Sequence, residues 1–147
     1  DLALLAALGL ALAGCGKDDP KGGGAPAAAA HDHDAPHKGE VLELGDEEAH
    51  LEMMHDHDGG NLGVYVYGKD FKSPVSVAKP VVTIQTKAGG TTTMDLVAVD
   101  AKPDGTAHYW KGQHDELRVD PWLGRIEVVI GGKTYRSPLE GEGHGHK

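Results

Sequence analysis

The chain has one cysteine, Cys15, in 147 residues, and one phenylalanine, with aromatic residues making up 5% of the whole. A single thiol excludes an internal disulfide and any zinc or redox centre built on paired cysteines, so a metal ion would have to be held by His, Asp, Glu or Met. Positive charge is also scarce: 14 Lys and Arg stand against 23 Asp and Glu, a formal charge of -9 at pH 7. Nucleic acid and anionic membrane surfaces demand basic patches, and both are excluded as partners on this balance. Enzymatic signatures are missing as well. The sequence has no Gly-x-Ser-x-Gly, no phosphate-binding loop, no Gly-x-Gly-x-x-Gly and no Cys-His pair, which points to a protein that is not an enzyme. The nearest approach to a metalloprotease box, His50-Leu51-Glu52-Met53-Met54-His55, spaces its histidines five apart rather than four. On a helix those rings would point about 140° apart, and on a strand to opposite faces.

No apolar run reaches the roughly 20 residues that span a bilayer. The one apolar run extends from Leu2 to Ala13 and closes on Leu12-Ala13-Gly14-Cys15. Its length is that of a secretory h-region and its end that of a bacterial lipoprotein cleavage site. Residues 1–14 are therefore expected to be removed and Cys15 to be lipidated, giving a chain held in the cell envelope by acyl groups. The chain opens at Asp1 without a Met or a basic n-region, so this signal is read as lacking its start. Gly16 after the cysteine, rather than Asp, resembles an outer-membrane sorting signal, facing the periplasm in a Gram-negative source.

Histidine is what the sequence has in excess. Ten occur in the chain, and six of them, His31, His33, His37, His50, His55 and His57, lie in one stretch. The first three fall in or at the end of a segment, residues 15–37, made of Gly, Ala, Pro, Asp and Lys without apolar periodicity. Such a composition buries too little to offset the entropy of ordering and reads as a disordered tether. Residues 140–147, with His144 and His146, read as a disordered tail.

Between them, residues 38–139 read as one β domain. Apolar residues alternate in Val41 to Leu44, Ala49 to Met53, Leu62 to Tyr67, Val81 to Thr86, Thr91 to Val99, His108 to Trp110, Arg125 to Ile130 and around Tyr135. Gly59-Gly60, Gly89-Gly90 and Gly131-Gly132 supply hairpin turns. The expected fold is all-β, a small antiparallel sandwich of about seven short strands, immunoglobulin-like or similar. The stretch Gly112 to Trp122 is expected to hold a helical turn.

On such a strand His50 and Glu52 project from one face, so their nitrogen and oxygen donors can converge on an ion. One further ligand is needed, and His37, His55, Asp56 and His57 are the candidates. Imidazole and carboxylate suit Zn(II), Ni(II) and Cu(II), while Met53 and Met54 offer a soft donor for Cu(I). The alternative is that this face is simply the solvated side of a half-buried strand. His31-Asp32-His33-Asp34 and His55-Asp56-His57-Asp58 repeat one tetrapeptide, suited to weak and adaptable metal contact, or else to turn and linker chemistry. His108 and His114 read as surface or hydrogen-bonded residues rather than ligands, and Tyr65, Tyr67, Trp110 and Trp122 as core and cross-strand packing rather than the floor of a binding groove.

Ala35-Pro36-His37-Lys38-Gly39, Leu44-Gly45, His50-Leu51-Glu52, His55-Asp56 and Val64-Tyr65-Val66 together resemble a group of small, largely uncharacterised bacterial lipoproteins. Their pattern runs Pro-His-Gly-Gly, Leu-Gly, His-x-Glu, Asp and a Val-Tyr strand, after a His/Asp-rich tether. The similarity covers residues 35 to 70, and Lys38 stands where the pattern has its first Gly. The resemblance implies heavy-metal handling in the envelope, sometimes in company with an efflux or transport protein. The expectation is thus a lipid-anchored protein that binds Zn, Cu or Ni ions as buffer, chaperone or sensor. Its binding should weaken from pH 7.5 to 5.5 as imidazoles take up protons near pH ~6.5. A second reading is a structural or protein-interaction lipoprotein with incidental histidines.

Overall fold

The structure, a computed structural model, describes residues 35–141. The leader, Cys15, His31, His33, the greater part of the expected tether and the tail with His144 and His146 lie outside the described residues. Alternation is realised as nine strands: β1 (Glu40–Leu44), β2 (Ala49–Asp56), β3 (Asn61–Gly68), β4 (Val81–Gln85), β5 (Thr91–Met94), β6 (Val97–Val99), β7 (Tyr109–Gln113), β8 (Trp122–Ile130) and β9 (Lys133–Gly141). They pair antiparallel throughout into two sheets, in the order β1-β2-β3-β7-β6 and β5-β4-β8-β9. This is the expected antiparallel β-sandwich. With β1 set aside, β2-β3-β7-β6 and β4-β8-β9 follow the A-B-E-D and C-F-G order of an immunoglobulin-like sandwich, with β5 as an added C′ strand.

The strand count exceeds seven partly because Thr91 to Val99 is two strands, not one. Met94 ends a strand paired with β4, whereas Val97 begins one paired with β7 in the other sheet. Met94 and Leu96 are both buried, at 1% and 2% exposure, so the two-residue period runs unbroken through the change of sheet and hides it from sequence reading. Between the sheets, Leu51, Val64, Val66, Val82, Ile84 and Ile126 are wholly excluded from solvent. Gly131 and Gly132, with φ of 58° and 82°, join Ile130 to Lys133 in the two-residue hairpin that only such residues make without strain. The expected helical turn is the 3-10 segment Asp115–Arg118, capped by His114, whose Nδ1 accepts from the Glu116 N–H at 3.2 Å.

The face of β2 that was expected to be polar and open is instead covered. His50 and Glu52 retain 2% and 0% exposure. Two segments roof the outer side of β2 and β3. One is the loop after β3, where Phe71 packs on Tyr67 at 5.2 Å and Pro74 bridges to Tyr67. The other is the chain entering β1, where Ala35, Pro36, His37 and Lys38 form a turn closed by the Lys38 N–H on the Ala35 carbonyl at 2.9 Å. Pro36 fits the second position of such a turn because its φ is already set. A turn at 35–38 is thus part of the folded unit, ahead of the expected start of the domain at Lys38.

Candidate functional site

The site grows from Glu52, at the middle of β2. Its carboxylate gathers four donors: Oε1 accepts the backbone N–H groups of His37 and Gly39 at 2.7 and 3.0 Å, and Oε2 accepts His37 Nδ1–H at 3.0 Å and the Tyr67 hydroxyl at 3.3 Å. Burial pushes the Glu52 carboxyl up, but the Gly39 and His37 hydrogen bonds together outweigh it and hold the group below its usual range. Tyr67 responds in the opposite sense. Burial, then the adjacent Glu52 charge, raise its phenol to about 12, so it stays a donor at neutral pH.

A carboxylate only accepts, and the network therefore assigns the His37 proton to Nδ1, leaving Nε2 as the ring's lone-pair atom in the neutral form. The ring itself is held flat. It stacks on Tyr65 at 3.9 Å and 8°, and Tyr65 stacks on Tyr109 at 4.0 Å and 3°. His37 nonetheless keeps 41% of its side chain exposed. Two backbone features make the approach close enough. Lys38 adopts φ 63°, the left-handed conformation that suits Gly and that few other residues adopt. At Gly39, a Cβ would stand 2.6 Å from the Met53 carbonyl oxygen and 2.9 Å from Glu52 Cγ, so the position has no room for a side chain.

The other sequence candidates go elsewhere. His50 lies on the same face as Glu52, but its Nδ1 donates to the Gly68 carbonyl at 3.2 Å and its ring packs on Phe71 at 5.1 Å. The structure does not join the two on one ion. The next turn begins at His57, because His55 and Asp56 still belong to β2. Asp56 organises that turn, accepting from Gly59 N–H and Asn61 Nδ2 at 3.2 and 2.8 Å. These bonds, Asn61 first, hold its carboxyl below the usual range against slight desolvation. His57 Nδ1 lies 3.3 Å from Asp120, and its ring centroid is 6.2 Å from that of His55. His55 Nε2 donates to the Leu117 carbonyl at 2.8 Å, with Trp122 against the ring at 5.3 Å. Among the described residues no three His, Cys, Asp or Glu side chains gather as a preformed cage. Sequence reasoning missed Tyr65 and Tyr67 as partners of His37, and Tyr109 as the ring stacked behind Tyr65. The alternation of Val64-Tyr65-Val66-Tyr67 placed both tyrosines on the outer face, and only the roof above them was unreadable.

No known family model matches this chain, and no curated protein or solved structure matches it.

Proposed function

We propose that this protein is a lipid-anchored, non-enzymatic component of the bacterial cell envelope that captures divalent transition-metal ions, Zn(II), Cu(II) or Ni(II), with His37 Nε2 as the ligand fixed by the fold. The observation that carries this reading is the pair formed by Glu52 and His37. Metal-ligating imidazoles commonly donate their second N–H to a carboxylate, which fixes the tautomer, aims the ring and raises its basicity. Here a wholly buried carboxylate does so for a ring that remains 41% exposed. His33 and His31 precede His37 by four and six residues, and four residues of chain span at most about 14 Å. They are therefore available to complete the coordination, and a site assembled this way binds and releases rather than catalyses. Delivery to an envelope efflux or transport protein fits that exchangeable character.

Calorimetric titration of the full chain with each metal tests the reading, beside a His37→Asn variant and a variant with His31 and His33 both replaced by Asn. Binding by the full chain that falls at least about tenfold in each variant, with the β-sheet circular dichroism unchanged, is the expected result. No binding by the full chain would overturn it. A protein-interaction role is favoured by Val97, 59% exposed on edge strand β6. Unaltered metal response together with loss of an envelope phenotype in Val97→Asp would select that role instead.

A further inference from the structure

A second set of donors lies on the opposite face of the same strand. Met53 and His55 alternate with Glu52 and Met54 along β2 and so point between the sheets, about 6–7 Å apart at Cα. They line a cleft of about 470 Å³ at one end of the sandwich, where β1 and β2 of one sheet meet Trp122, Leu139 and Gly141 of the other. Met53 is 5% exposed. His55 is clamped through Nε2–H on the Leu117 carbonyl, the backbone counterpart of the carboxylate behind His37, and Nδ1 is therefore its lone-pair atom. The Trp122 indole stands beside that ring at 5.3 Å. Its Nε1–H is buried with no acceptor among the described residues.

We propose that this cleft is a separate metal site, for a soft monovalent ion of the Cu(I) or Ag(I) type, with the Met53 thioether and His55 Nδ1 as its two protein ligands. Thioether sulfur selects soft ions over Zn(II) or Ni(II), and such d10 ions accept two ligands where a divalent ion wants more. The indole π system forms a wall that tolerates a cation, while its Nε1–H is packed against Gly141. Glu40 and Glu140 line the cleft against a single base, Lys38, a balance that favours a cation.

The chain has three methionines, and Met94, 1% exposed and not among the residues lining the cleft, serves as an internal control. The full chain with 13C-labelled methionine methyl groups, titrated with silver nitrate in halide-free buffer, is expected to show the Met53 methyl shifting to completion near one equivalent while Met94 stays fixed. Met53→Leu and His55→Gln, each first shown to keep the native fold by its amide spectrum, should each weaken that binding at least tenfold. His37→Asn should leave it unchanged while losing Zn(II), so the failure of either site is distinguishable from failure of the other. A response confined to Met54, a response shared by Met94, undiminished affinity in both ligand variants, or loss of the silver response in His37→Asn would overturn the proposal.

Discussion

Replacing Glu52 by Gln keeps the shape of the side chain and removes its charge, at a position where four donors converge. Hydrogen bonds to a charged group contribute about 1.5–3 kcal/mol and neutral ones about 0.5–1.5, so each bond weakens by roughly 1 kcal/mol. The amide oxygen can keep the two backbone N–H groups of His37 and Gly39. The amide NH2 must then face His37 Nδ1 and the Tyr67 hydroxyl, and both have to reverse their donor roles. Relief from burying a carboxylate offsets part of the loss. The net expectation is about 2–3 kcal/mol of lost stability for Gln, and about 3–5 for Ala, which leaves buried N–H groups without an acceptor. For a domain of about 100 residues, the Gln change corresponds to a melting temperature lower by roughly 10–20 °C. Urea unfolding of the full chain followed by tryptophan fluorescence measures this directly, with the m-value unchanged. The acid limb is a second reading of the same interaction. Because folding lowers the Glu52 carboxyl from 4.5, its stabilisation is complete above that pH and disappears as pH falls through the lower folded value. The difference between wild type and Gln should therefore shrink only below about pH 4.5. A Gln variant within 0.5 kcal/mol of wild type at neutral pH would refute the view that Glu52 holds the entering chain in place.

Lys38→Gly should raise stability by about 0.5–1 kcal/mol, because φ 63° strains any side chain but suits Gly; a thermal melt no higher than wild type would count against that backbone geometry. Gly39→Ala should have the opposite effect, at least about 2 kcal/mol, because the contact at 2.6 Å is to a backbone oxygen inside a paired strand. Tyr67→Phe should lower stability by about 1–2 kcal/mol in urea. It should also remove from the ultraviolet pH titration a component pushed up to about 12, and loss of an ordinary tyrosine component instead would contradict the buried contact with Glu52.

The pairing of His37 with Glu52 was half legible. Both residues stood among the candidates, and the resemblance to envelope lipoproteins ran through each of them. His50 was drawn to the same ion because a strand read alone offers only its own alternation, and nothing in that alternation says which neighbour is covered by what. Its partner, the Gly68 carbonyl, lies 18 residues away, and the ring that packs on it, Phe71, comes from a loop with no periodic signature.

The sequence by itself determined the class of fold, the tight hairpin turn at Gly131-Gly132, and the face on which each residue of β2 and β3 lies. These depend on a two-residue period and on local φ, and both are properties of near neighbours. Only the tertiary structure decided that the polar face of β2 is roofed over, that Glu52 is the acceptor for a turn 13 to 15 residues before it, and that His55 is oriented by a carbonyl 62 residues further on. Those outcomes follow from how two sheets and two loops close on one another, and a buried carboxylate is stable only when all its donors arrive together.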